Sequence, residues 1–150
     1  MIEKKLALCQ HLGIDYFNYN EEYYIGSNQD KFDEETSSLV EEEIEKLLED
    51  YLLVDSEINN EYDNTYNYEK NEYLIVTDEE AEEEWENNLD NYIEECVLPE
   101  LPKQYRYYFD EDSFKRDCKY DGRGHSLASY DGRENEEIVG NIYYYIYRIN

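Results

Sequence analysis

The string Gly122-Arg123-Gly124-His125-Ser126 is the most enzyme-like in this chain, because glycines let backbone amides approach an anion and His125 could serve as an acid or base. Its spacing matches neither a Walker loop nor a dinucleotide fingerprint, and no Ser/His/Asp or Cys/His set assembles around it. The simpler expectation is a turn followed by a strand, with His125 structural. Carboxylates are abundant, with forty Asp and Glu. An acid/base pair, however, needs environments that separate two pKa values, and most of these acids are patterned onto solvated faces. No stretch fits an EF-hand calcium loop. Cys9, Cys96 and Cys118 are odd in number and far apart, with no CxxC and no His at ligand spacing. That argues against a disulfide framework or structural zinc and for a reducing cytosol. The residues therefore point to no enzyme, no cofactor and no metal. What they offer is fixed negative charge.

The stretch Thr77 to Cys96 must position most of that charge. Thr77 with Glu80 makes a capping box, and Asp78, Glu79 and Glu80 suit the positive end of a helix dipole. Ala81, Trp85, Leu89, Tyr92 and Cys96 recur at helical spacing and predict the core stripe. Glu79, Glu83, Glu86, Asp90 and Glu94 recur nearly opposite. Ten acids and no base lie between positions 78 and 95. That is one charge per roughly 2.7 Å of helix axis, between the ~1.7 Å of duplex DNA and the ~3.4 Å of one strand. Glu79/Glu83, Glu86/Asp90 and Asp90/Glu94 are like-charge pairs at i, i+4, each costing about 0.2–0.5 kcal/mol, so the face is poorly explained by solubility alone.

A second helix is expected to open at Ser38, with Glu41 three residues on, and to run to about Leu53. Val40, Ile44, Leu47, Leu48 and Tyr51 form its buried stripe, and Glu42, Glu45 and Glu49 its acidic face. Ahead of it, Met1 to Ile14 reads as a short amphipathic helix stopped by Gly13. A weak strand or hairpin around Tyr23 to Ile25 follows, and then a loop. Asp55 to Asn64 reads as a polar connector. A hairpin turning near Lys70 and Asn71 leads to a strand from Tyr73 to Val76 that feeds the central helix. Leu98 to Pro102 ends that helix, Lys103 to Phe109 is a turn or short helix, and Asp110 or Asp112 caps another running to Cys118. Ile142 to Ile149 predicts a strand of β-branched and aromatic residues. The fold class is α+β: a small, mainly antiparallel sheet with amphipathic acidic helices against one face. At 150 residues the chain is one domain, divisible into an acidic helical lobe (1–60) and an α+β core (61–150).

The net charge of −27 excludes direct binding to nucleic acid or to an anionic membrane surface, and no apolar run is long enough to span a bilayer. The expected partner is basic. Nineteen Tyr, four Phe and one Trp argue against plain disorder. Residues 1–102 hold 31 acids against 5 bases and residues 103–150 hold 9 against 8, which together give the −27. Such asymmetry is not an even solubilising coat.

Tyr92, Ile93, Glu94 and Glu95, then Pro102, Tyr108, Phe109 and Asp110, then Phe114, Arg116 and Asp117 carry a resemblance. Over residues 92–117 the chain resembles the C-terminal segment of the ArdA family of antirestriction proteins, and Asp121 to Gly132 looks like a tail found in bacteriophage proteins. The resemblance implies a phage or mobile-element protein, acting in the host bacterial cytoplasm, that imitates duplex DNA and fills the DNA-binding groove of a restriction-modification or Cas effector. On that reading Glu79, Glu83, Glu86, Asp90, Glu94, Glu42, Glu45 and Glu49 stand in for phosphates, and a homodimer is compatible with it. The alternative is an acidic, chaperone-like interaction protein that neutralises a basic partner.

Overall fold

The computed structural model describes residues 2–150. The chain is α+β, with two antiparallel sheets and helices on both sides of the larger one. Helix α1 (Ile2–Leu12) ends at Gly13, whose φ of 71° suits a left-handed stop. Strands β1 (Tyr16–Tyr19) and β2 (Glu22–Ile25) make a tight hairpin through Asn20 and Glu21, both at positive φ. After helices α2 (Gln29–Thr36) and α3 (Glu41–Leu48), β3 (Leu52–Leu53) pairs with β2 to complete the small sheet. An aromatic cluster holds this unit together. The Phe17 and Phe32 rings stack at 3.9 Å, and Tyr51 meets Phe17 edge-on at 5.0 Å.

A short helix α4 (Val54–Glu57) leads into the larger sheet, built from β4 (Ile58–Tyr62), β5 (Thr65–Tyr68), β6 (Asn71–Thr77), β7 (Asn135–Val139) and β8 (Ile142–Arg148). Its spatial order is β4-β5-β6-β8-β7. Helices α5 (Asp78–Tyr92), α6 (Lys103–Arg106), α7 (Glu111–Lys119) and α8 (Arg123–Leu127) lie between β6 and β7 in the chain, with a π-turn (Ile93–Val97) and a 3-10 turn (Leu98–Glu100) after α5. Tyr73 and Ile75 of β6 pack with Leu6, Ala7, Leu8 and Cys9 of α1 on one face. Leu74 and Val76 pack with Ala81, Trp85 and Leu89 of α5 and Leu127 of α8 on the other. This explains the unbroken apolar run Tyr73–Val76: a strand covered on both faces has no solvent side to alternate with. Burial pushes the Cys9 thiol pKa up to about 11, so it is inert packing.

The structure corrects several expectations. Helices cover both faces of the sheet, not one. Residues 1–60 are mixed rather than a helical lobe, and α1 belongs to the core of the larger sheet. The stretch expected to be a loop after Ile25 contains α2, whose N-cap Asn28 accepts from the Lys31 amide. The polar connector Asp55 to Asn64 is α4 and β4, with Val54 and Ile58 buried; a polar edge strand anchored by two apolar residues reads as a loop. Helix α3 starts after Val40 with no side-chain cap, so Ser38 does not open it, and β3 takes Leu52 and Leu53. The Gly122–Ser126 stretch is not a turn and strand: Gly122 is an N-cap at positive φ, and Arg123–Leu127 is the short helix α8.

Candidate partner-binding surface

The capping box of α5 is present. The Glu80 amide donates to Thr77 Oγ1 at 3.3 Å and the Thr77 amide to Glu80 Oε1 at 2.9 Å. Glu80 has a second task, because Lys4 Nζ from α1 donates to its Oε1 at 2.9 Å and to Asn64 Oδ1 at 2.7 Å. Lys4 is 4% exposed, so a buried ammonium is neutralised by the helix across the sheet. Burial pushes the Glu80 pKa up, but the Thr77 amide and Lys4 outweigh it and leave the carboxyl below its usual range.

The other side of α5 is held in the same manner. Arg123 Nη1 donates to Asp78 at 2.8 Å and Glu82 at 3.1 Å, its Nε donates to Glu134 at 2.8 Å, and its guanidinium lies 4.8 Å from the centre of the Tyr145 ring. Lys115 of α7 donates to Glu86 at 3.2 Å and pairs with Asp90, while Lys119 pairs with Glu86. The Glu86 carboxyl is held below its usual pKa first by the hydrogen bond from Lys119 and then by Lys115.

The acid stripe foreseen on α5 is therefore divided. Glu79 and Glu83 are exposed and unpaired among the described residues, Glu86 and Asp90 are consumed by α7, and Glu94 is exposed in the π-turn. Two of the three like-charge pairs are relieved by lysines twenty-five or more positions away, which a scan along the helix does not detect. Glu83 lines a groove with Asp63, Glu80 and Glu84. There burial, then Asp63, Glu83 and Glu80, raise the Glu84 pKa.

Helix α3 presents the opposite case. Glu42, Glu45 and Glu49 are exposed, and none forms an ion pair among the described residues. The helix buries no residue. Its apolar side, Ile44, Leu47 and Leu48, is half-buried, and Val40 is 61% exposed.

The glycine-rich string has a packing explanation. A Cβ on Gly124 would fall 2.7 Å from the Gly132 carbonyl and 2.8 Å from the Glu134 amide, so the glycine allows α8 to lie on the chain entering β7. His125 is exposed and lines a cleft with Cys118, Asp121 and Ser126. No hydrogen bond links these four among the described residues. Among the described residues no group of three or more His, Cys, Asp or Glu is arranged to hold a metal ion, and no helix is long and apolar enough to cross a membrane. Comparison with protein families, curated proteins and solved structures finds no match to this chain.

Proposed function

We propose that this protein is an acidic mimic of duplex DNA that blocks the DNA-binding groove of a bacterial defence nuclease, a restriction or CRISPR effector, without catalysis of its own. The observation that carries the reading is α3. Six acids lie between Glu41 and Asp50, one per about 2.5 Å of helix axis. They face one base, Lys46, and hold no ion pair among the described residues. Apart from the favourable place of Glu41, Glu42 and Glu43 in the first turn, no ion pair among the described residues ties this charge to the fold, so an external basic surface is the natural counterpart. Carboxylates fixed on a helix release a groove's counterions as phosphates do. Glu79 and Glu83 extend the charged surface, and exposed Tyr rings such as Tyr107 and Tyr108 supply faces on which Arg stacks. The resemblance over residues 92–117 supports the same reading.

The test is competition. A restriction or Cas nuclease captured by this protein from bacterial lysate should bind it in the DNA-free form and release it when duplex DNA is added. Simultaneous binding of DNA and protein at unchanged affinities would remove steric mimicry and favour the chaperone-like alternative. A gel shift of purified duplex by this protein alone would contradict the electrostatic premise.

A further inference from the structure

The two sheets end in β1, β3, β4 and β7, and the first three of these edges offer little to an added strand. At β1 the Gln29 side chain takes a neighbour's place: its Oε1 accepts from the Asn18 amide at 2.8 Å and its Nε2 donates to the Asn18 carbonyl at 3.2 Å. Strand β3 is two residues long. Strand β4 is broken by a register shift between Asn60 and Tyr62, where Asn60 Nδ2 donates to the Asp63 and Thr65 carbonyls. Capping side chains, bulges and short length are common protections of a sheet edge. Strand β7 has none of them. Its five residues pair with β8 in unbroken register, and among the described residues no backbone group of another element bonds to its outer side. What it carries instead is charge, in Glu136 and Glu137.

We propose that β7 is a docking edge for an extended basic segment of a partner protein, which adds to the larger sheet as a sixth strand. Backbone pairing supplies the attachment and the two faces of β7 supply the sequence preference. Val139 packs on the α1 side of the sheet, so Glu137 lies on that side, and Glu136 and Ile138 lie on the other. Glu137 lines a groove of about 400 Å³ with Gln10, Asp15 and Tyr16. Neither Asp15 nor Glu137 forms an ion pair among the described residues, so this side suits Lys or Arg. On the opposite side Ile138 stands across from Tyr143, and both are about half exposed, which suits Val or Ile. The segment recognised therefore alternates basic and β-branched residues. A second copy of this chain does not fit, because antiparallel self-pairing centred on the strand sets Glu137 against Glu137. The edge is separate from the acidic surface on α3, and the DNA-mimic reading stands or falls without it.

The test must separate strand addition from plain attraction between a basic peptide and a protein of charge −27. The probe is the peptide Ac-Lys-Val-Lys-Val-Lys-Val-Lys-amide, titrated into the full-length ¹⁵N-labelled protein at ~150 mM salt, where long-range attraction is screened. Its control is the same peptide with every backbone amide N-methylated, which keeps the charge and the side chains and removes the donors. The expected result is saturable slowing of amide hydrogen exchange at alternate residues of β7, with no change at β4. The methylated peptide should bind at least about tenfold more weakly, the equivalent of one or two lost backbone hydrogen bonds. Ile138→Lys, at an exposed position, should keep the fold by circular dichroism and weaken the peptide severalfold. No saturable protection of β7 at millimolar peptide, equal binding of the methylated control, or equal binding by Ile138→Lys would overturn the proposal. Protection of β7 that grows with protein concentration in the absence of peptide would also overturn it, by marking the edge as a seat for a second copy.

Discussion

Helix α3 and helix α5 are both runs of glutamate with an apolar stripe, yet the fold treats their charge in opposite ways. Five bases form ion pairs among the described residues, and four of them, Lys4, Lys115, Lys119 and Arg123, go to acids of α5. None goes to α3. Asp78, Glu80, Glu82, Glu86 and Asp90 hold α1, α7 and α8 in place, so half of the ten acids from Asp78 to Glu95 belong to the architecture. Density of charge along a helix is thus a poor measure of charge available to a partner. The useful measure is what remains after the protein's own bases have been assigned.

The largest expected effect tests that distinction on α3. Changing Glu42, Glu45 and Glu49 together to Gln should lower affinity for the captured nuclease by up to about three orders of magnitude at ~50 mM salt. It should also flatten the slope of log K against log salt by up to about 2.7, by analogy with ~0.9 per neutralised phosphate. Stability should change by less than about 0.5 kcal/mol, as for surface positions without partners. Unchanged affinity and slope would leave α3 a solvated face and end its role in the proposal.

Arg123→Ala attacks the other member of the comparison. It strands Asp78, Glu82 and Glu134 beside one another and removes the ring contact with Tyr145. The urea midpoint should report a loss of about 1–2 kcal/mol, because the guanidinium is buried while its three acids remain partly solvated. Lys46→Ala on α3 should cost under about 0.5 kcal/mol, and equal losses for the two would dissolve the contrast.

The smallest effect concerns Glu86→Gln with Asp90→Asn. Read along the helix, these changes relieve repulsion and should stabilise. With Lys115 and Lys119 in place they should instead cost about 0.2–1 kcal/mol per exposed pair. The pH dependence carries the same sign. Glu86 has a folded pKa below its unfolded value, so its contribution is complete above the unfolded Glu pKa of about 4.3 and is lost as pH falls through the lower folded value. Glu80 acts alike, whereas Glu84, raised in the fold, gains relative stability on acidification and offsets part of the loss. Acid unfolding followed by circular dichroism should therefore be steeper below pH ~4.3 in the parent than in the double variant.

The α+β class, the β6 strand, the capping box on Thr77 and the helix capped by Asp110 were legible, because each depends on a few neighbouring residues whose preferences agree. The end of α5 was not. Steps of four, from Trp85 to Leu89 to Ile93, bury Ile93 at 1% exposure and leave Tyr92 and Cys96 outside, where a step of three had placed Tyr92 in the core. The π-turn that follows changes the spacing again. Lys4 was invisible for another reason: it lies at a surface-like position of a short helix, and its partners Asn64 and Glu80 are far away in sequence. Ion pairs between distant elements leave no local period to detect.

The place of β8 between β6 and β7 governs when this molecule becomes a folded one. During synthesis β6 and α5 emerge with the sheet still open on one side, and α1, already made, has only part of the surface it needs. Sixty-four residues separate Thr77 from Ile142, the sequence gap the chain must close before β6 finds its central neighbour. Pairing at such separation is slow and leaves apolar surface waiting. Folding should therefore behave as a late, all-or-none event triggered by the last hairpin. A ribosome-stalled chain lacking Ile142–Arg148 should remain protease-sensitive throughout, including at α1.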